Sequence, residues 1–150
     1  MTETITIPCP HCDSLNRMPA ARRGHGGNCG RCGKPLFAGR PLTLDAGRFE
    51  RHAGSADLPV LVDFWAPWCG PCRAMAPAFE AAAAGLEPRV RLAKVDTEAE
   101  PALAARFGIR AIPTLALFRG GRELARHSGA MSEPMIRDWV ARHLVSDFDH

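Results

Sequence analysis

Apolar positions fall into two regimes along the chain. Residues 1–39 are rich in Gly, Pro, Arg and Cys and carry little periodic apolar sequence. A piece that short cannot bury enough surface to fold without a staple. Gly39-Arg40-Pro41 reads as a joint. Beyond it the pattern is globular to about residue 145. The chain therefore divides into a small unit at 1–39 and a domain at 40–150.

Within the domain the period of the apolar residues names the elements. Residues 41–44 predict a short edge strand, with proline at its start. Asp45 is placed to cap a helix through Ala53, with Phe49 inward. Residues 58–65 are a near-continuous apolar run and predict a buried strand. Residues 70–86 predict a long helix that buries Met75, Phe79 and Leu86 and is kinked at Pro77. A strand is predicted at 89–95 and a helix at 98–107, stopped by Gly108. Strands at 114–119 and 123–128 are joined at Gly120-Gly121, a hairpin signal. Ser132 is placed to cap a last helix with Met135, Ile136, Trp139, Val140 and Leu144 as its apolar stripe. The order β-α-β-α-β-α-β-β-α gives an α/β sheet with helices on both faces.

Composition narrows the function. The chain has 150 residues, 46% of them hydrophobic, and a net charge of +3. That charge is too small to argue for nucleic acid, and Arg22-Arg23 reads as a solvated face. No run reaches the roughly 18 apolar residues of a membrane span. Residues 1–8 have neither a basic start nor an apolar block, so no signal peptide is expected. The expected location is the cytoplasm, where paired cysteines are metal-binding or catalytic more often than structural staples.

The six cysteines split into four and two. Cys9-x-x-Cys12 and Cys29-x-x-Cys32 are separated by 16 residues, the spacing of a tetrahedral four-thiolate zinc site. Two structural disulfides, or iron in place of zinc, are the competing readings. His11 and His25 read as solvated loop residues. Metal binding of about 10–16 kcal/mol is enough to fold a segment with so little core.

The remaining pair, Cys69 and Cys72, lies in Trp68-Cys69-Gly70-Pro71-Cys72, directly after the strand at 58–65. That order puts the first sulfur at a helix N-terminus, where free N–H groups favour a thiolate. Cys69 is expected to be exposed and nucleophilic. Cys72, one turn further in, is expected to be buried and to resolve the mixed disulfide. Asp63 interrupts the apolar strand. It is either a solvated edge residue or a buried acid with a raised pKa that takes the Cys72 proton.

Residues 41–145 resemble the thioredoxin family. The resemblance rests on Asp63-Phe64-Trp65-Ala66, Trp68-Cys69-Gly70-Pro71-Cys72, Pro77, Lys94, Ile112-Pro113-Thr114 and Gly129, in the family's order and spacing. It implies the thioredoxin fold, a mixed central sheet flanked by helices, and a redox-active Cys69–Cys72 disulfide. It implies that Asp63 is the base beneath Cys72, with Lys94 beside it. It also implies a cis Pro113 packed on the dithiol, leaving the Ile112 backbone for an extended substrate. Trp68, Gly70, Pro71, Ile112, Pro113 and Gly129 are then the docking set. The Gly-Pro pair resembles reducing members of the family. The implied activity is reduction of disulfide-containing client proteins by a monomer, which a flavoprotein thioredoxin reductase re-reduces. Residues 1–39, ending in Lys34-Pro35-Leu36-Phe37, resemble the zinc-ribbon extension of thioredoxin-2-type bacterial proteins. A binding module on a thioredoxin scaffold and a redox-switched chaperone are rival readings. The domain is expected to need no help from the ribbon for burial.

Overall fold

The computed structural model describes residues 3–148, with side chains to residue 144. In chain order, β1 (Thr4–Pro8) and β2 (Leu15–Pro19) precede a single 3-10 turn at Ala20–Arg22. Then come β3 (Leu42–Thr43), α1 (Ala46–Ala53), β4 (Val60–Trp65), α2 (Gly70–Leu86) and β5 (Arg91–Asp96). The chain continues with α3 (Pro101–Arg106), β6 (Thr114–Arg119), β7 (Arg122–Ser128) and α4 (Glu133–Phe148). β1 and β2 form an antiparallel ribbon. The other five strands form one sheet in the order β3-β5-β4-β6-β7. β3, β5 and β4 are parallel, while β6 and β7 run antiparallel to their neighbours.

Strand alternation sorts the core into two layers. Leu61, Leu92, Leu115 and Leu117 meet Met75 and Phe79 of α2 and Ile136, Trp139 and Val140 of α4. Val60, Val62, Phe64, Ala93, Val95 and Phe118 meet Phe49 of α1 and Leu103 of α3. Helices thus cover both faces, as the apolar pattern predicts.

Several element ends differ from the sequence reading. The strand read from Leu58 begins at Val60, because Ser55 turns the chain by accepting from the Leu58 N–H through its hydroxyl. The helix read from Glu98 begins at Pro101, because the Asp96 carboxylate takes the Glu98 N–H and forms a turn first. Met135 is 52% exposed and so does not belong to the apolar stripe of α4. It lies about 100° round the helix from Ile136 and falls on the flank.

The first 39 residues do not stand apart from the sheet. Leu58 is buried against Ile5 and Ile7 of β1. Arg91, at the start of β5, is fully buried and stacks on Phe37. Its two terminal nitrogens donate to the carbonyls of Pro8 and Leu36. Asp13 accepts from Arg48 and pairs with the buried His52, both on α1. The expectation that the domain buries itself unaided therefore fails at this seam. Leu58 and Arg91 sit at the end of the sheet where β4 and β5 begin. The cysteine pair lies beyond the other end of β4, about five residues or roughly 16 Å away.

Candidate active site and four-thiol cluster

The dithiol is built by a strand that stops and a helix that starts. β4 ends at Trp65, and the Cys69 N–H closes a turn onto the Ala66 carbonyl at 3.1 Å. Cys69 is the N-cap of α2, with Gly70 and Pro71 opening the helix, where a missing proline donor costs nothing. Its sulfur accepts the Cys72 N–H at 3.2 Å. A sulfur at a helix N-terminus that faces a free N–H is an arrangement that favours a thiolate. Cys69 and Cys72 are disulfide-bonded.

Cys72 is buried as the sequence predicts, and Cys69 is more enclosed than expected. Cys69 is 4% exposed and Cys72 1%. The expected order survives, but the expected exposed Cys69 does not, because Ala66, Trp65 and Ile112 pack around the pair. Trp68, next to Cys69 in the chain, is 66% exposed, with its indole N–H held by Glu98 at 2.6 Å. Gly70 and Pro71 are exposed beside it.

The opposite lip comes from the β6 start. The Ile112–Pro113 bond is cis. The Ile112 carbonyl oxygen lies 3.8 Å from Cys69 Sγ. The Gly129 N–H donates to the Pro113 carbonyl at 2.8 Å. Gly129 has φ +109, a conformation that other residues rarely adopt.

Asp63 is fully buried in the middle of β4, which excludes the edge reading. Alternation points it to the Leu61 side, the layer beneath α2. Cys72 also faces inward there, one turn before Met75. Neither carboxylate oxygen has a hydrogen-bond partner among the described residues. Burial pushes the Asp63 carboxyl up to about 7, with the Lys94 charge opposing. Lys94 is its register partner on β5. The Lys94 Nζ sits 4.3 Å from the centre of the ring of the half-buried Trp65, a cation–π contact.

The other four cysteines converge. Their sulfurs all lie within 4.8 Å of one another. Cys9–Cys32 and Cys12–Cys29 sulfurs are each 3.6 Å apart. This is much longer than a disulfide bond. It is close to the edge of a tetrahedron with metal–sulfur bonds of about 2.3 Å, roughly 3.8 Å. The donor set also fits a cation. N–H groups of His11 and Cys12 point at Cys9 Sγ, and those of Arg31 and of the Asn16 amide point at Cys29 Sγ. The Cys29 thiol is pulled down to about 6, first by a backbone hydrogen bond from the Cys32 region and then by Asn16. Such N–H···S contacts stabilise thiolate ligands.

Some residues that shape the two sites carry no signal in the sequence. Arg91, Arg48 and His52 look like ordinary members of a strand and a helix. Glu98 reads as a helix-start acid. Asn16, which also accepts from Gly30 N–H at 2.9 Å, sits in a segment without periodicity. Asp13 alone had a legible cue, standing immediately after a CxxC knuckle.

Comparison with known proteins agrees with this architecture. Residues 40–142 match the Thioredoxin family. Residues 8–34 match the family described as Thioredoxin 2, N-terminal. Thioredoxin C-3 of Corynebacterium nephridii is 43% identical over 140 residues, 93% of this chain and 96% of that protein. Thioredoxin 1 of a Nostoc species is 42% identical over 96 residues, 64% of this chain and 90% of its own length. The Haemophilus influenzae thioredoxin is 35% identical over 103 residues, 69% of this chain and 96% of that protein. The chain belongs to the thioredoxin family and is a thiol-disulfide oxidoreductase with a zinc-ribbon-type extension at its N-terminal side.

Proposed function

We propose that the protein reduces disulfides in client proteins through Cys69 and Cys72. In the forward step the Cys69 thiolate attacks one sulfur of a client disulfide. A mixed disulfide forms and the other client sulfur leaves as a thiolate. Asp63 then accepts the Cys72 proton, and the Cys72 thiolate attacks Cys69 Sγ. The products are the Cys69–Cys72 disulfide and a reduced client. The observation that supports this reading is the Cys72 N–H on Cys69 Sγ at the start of α2, beside a buried Asp63 carboxylate that has no hydrogen-bond partner among the described residues and lies on the sheet face that α2 covers. A carboxyl poised near 7 exchanges protons readily at neutral pH.

Trp68, Gly70, Pro71, Ile112, Pro113 and Gly129 are proposed to dock the client. Lys94 lies beside Asp63 and biases its proton. Cys9, Cys12, Cys29 and Cys32 are proposed to hold one zinc ion. That ion supplies a cross-link between two loops and no exchange chemistry. A flavoprotein thioredoxin reductase is the proposed electron donor, and the reducing cytoplasm the proposed setting. Among the described residues, no helix is long and apolar enough to cross a membrane. The test is insulin reduction with dithiothreitol as donor. Accelerated precipitation of the B chain by the wild-type protein supports the reading, and a rate equal to dithiothreitol alone removes it.

A further inference from the structure

Two hydroxyl groups lie behind the Ile112–Pro113 lip. Thr114 is 1% exposed. Its Oγ1 is 2.5 Å from the Ala111 carbonyl oxygen and 2.9 Å from Ser128 Oγ. Thr114 has one hydroxyl hydrogen, and the carbonyl can only accept. The direction is therefore fixed: Thr114 donates to Ala111, and Ser128 donates to Thr114.

This relay spans the lip from behind. Ser128 ends β7 opposite Thr114 at the start of β6. The next residue, Gly129, donates its N–H to the Pro113 carbonyl. The Ala111 and Pro113 carbonyls are thus each held by an internal donor. Between them lies the Ile112 carbonyl, which faces Cys69 Sγ at 3.8 Å. The side chain of Thr114 does not reach the opening, so it acts on the lip through Ala111.

We propose that Ser128 and Thr114 are positioning residues for client docking. Their relay sets the height of the Ile112–Pro113 edge over Cys69, so that an extended client chain seated there presents its disulfide to the sulfur. This rests on the reading that proteins are the substrates. A small aromatic disulfide needs only access to Cys69 and does not use the edge. The relay therefore affects protein substrates selectively.

The experiment compares steady-state reduction of insulin and of dithiobis(nitrobenzoate), with dithiothreitol as donor, for wild type, Thr114→Val, Thr114→Ser and Ser128→Ala. Thr114→Val keeps the side-chain shape and removes the hydroxyl. It is expected to raise the insulin KM by about fivefold, the effect of one lost hydrogen bond, with kcat and the small-disulfide rate within about twofold of wild type. Thr114→Ser keeps the hydroxyl and is expected to restore the KM. Ser128→Ala is exposed and carries the test if Thr114→Val does not fold. It is expected to raise the insulin KM by about threefold. A wild-type insulin KM in Ser128→Ala overturns the relay. So does a parallel loss of both activities with a lowered Tm in Thr114→Val, or failure of Thr114→Ser to restore. Each of these failures leaves wild-type insulin reduction intact, whereas a wild type that does not reduce insulin removes the functional reading itself.

Discussion

Asp13 and Gly33 occupy equivalent places in the two cysteine knuckles. Each donates its N–H to the carbonyl of the first cysteine of its pair, at 2.9 Å. Each has a left-handed backbone, φ +66 for Asp13 and +79 for Gly33. Glycine adopts that conformation freely, whereas other residues are disfavoured there by about 1 kcal/mol, aspartate less than most. The carboxylate explains why an aspartate stands there. Asp13 takes two nitrogens of Arg48 and one of His52, tying the first knuckle to α1.

Asp13→Gly is therefore expected to separate knuckle geometry from docking. The knuckle gains backbone freedom where it needs it, so metal content per chain should stay at the wild-type value. The buried His52 loses its partner, at roughly 1–3 kcal/mol, so the Tm should fall. Metal analysis and thermal unfolding check this. A variant that loses its metal but keeps its Tm would show that Asp13 serves the knuckle alone.

The main sheet and the dithiol were legible because their cues are local. Apart from Asp63, the run from Val60 to Trp65 is apolar on both faces, as a central strand must be, and Cys69 follows it at the start of an amphipathic helix. Asp45, Gly108 and Ser132 mark helix ends with side chains or φ values that the structure uses. The seam between the two parts was not legible. Arg91 is an arginine in a strand, and its burial depends on the Pro8 and Leu36 carbonyls, which are 83 and 55 residues away. No periodicity reports such a partner. The enclosure of Cys69 has the same origin, since Ile112 arrives from 43 residues downstream.

Arg91 leads to a second prediction. Arg91→Met fills similar space but leaves two carbonyls without their donor. It should lower stability by about 1–3 kcal/mol. Insulin reduction at room temperature should be little changed, because the dithiol lies at the far end of β4. Denaturant unfolding with a parallel activity assay tests this. An unchanged midpoint would mean that the buried guanidinium contributes nothing net.

Removal of the metal should act on the same seam. Chelation is expected to release the β1–β2 ribbon, exposing Leu58 and the Arg91 site, and so to lower the Tm while insulin reduction persists. A chain starting at Arg40 should behave in the same way. Circular dichroism and turbidity follow the two effects separately. Loss of activity in a sample whose sheet remains folded would show that the ribbon takes part in exchange.

Asp63 gives a stability that depends on pH. The carboxyl titrates near 3.8 when unfolded and near 7 in the folded protein. Between these values the native state holds the extra proton, so stability falls as pH rises from about 4 to about 7 and stays lower above. Asp63→Asn removes that dependence. It should be more stable than wild type at pH 8, on the order of 2–4 kcal/mol, with the gap closing toward pH 4. Urea unfolding at the two pH values measures it. The same variant should slow release of the mixed disulfide, and the rise of that rate through neutral pH should disappear. An unchanged release profile would remove Asp63 as the base.

The exchange chemistry is tested most directly by the mass of the trapped intermediate. Reduced Cys72→Ser is mixed with an excess of a disulfide-bonded protein and quenched in acid. The account predicts a covalent adduct of one client chain on Cys69, released by dithiothreitol, and no stable adduct from Cys69→Ser under the same conditions. Equal adducts on both variants, or an adduct mapped to one of the four ribbon cysteines, would contradict it.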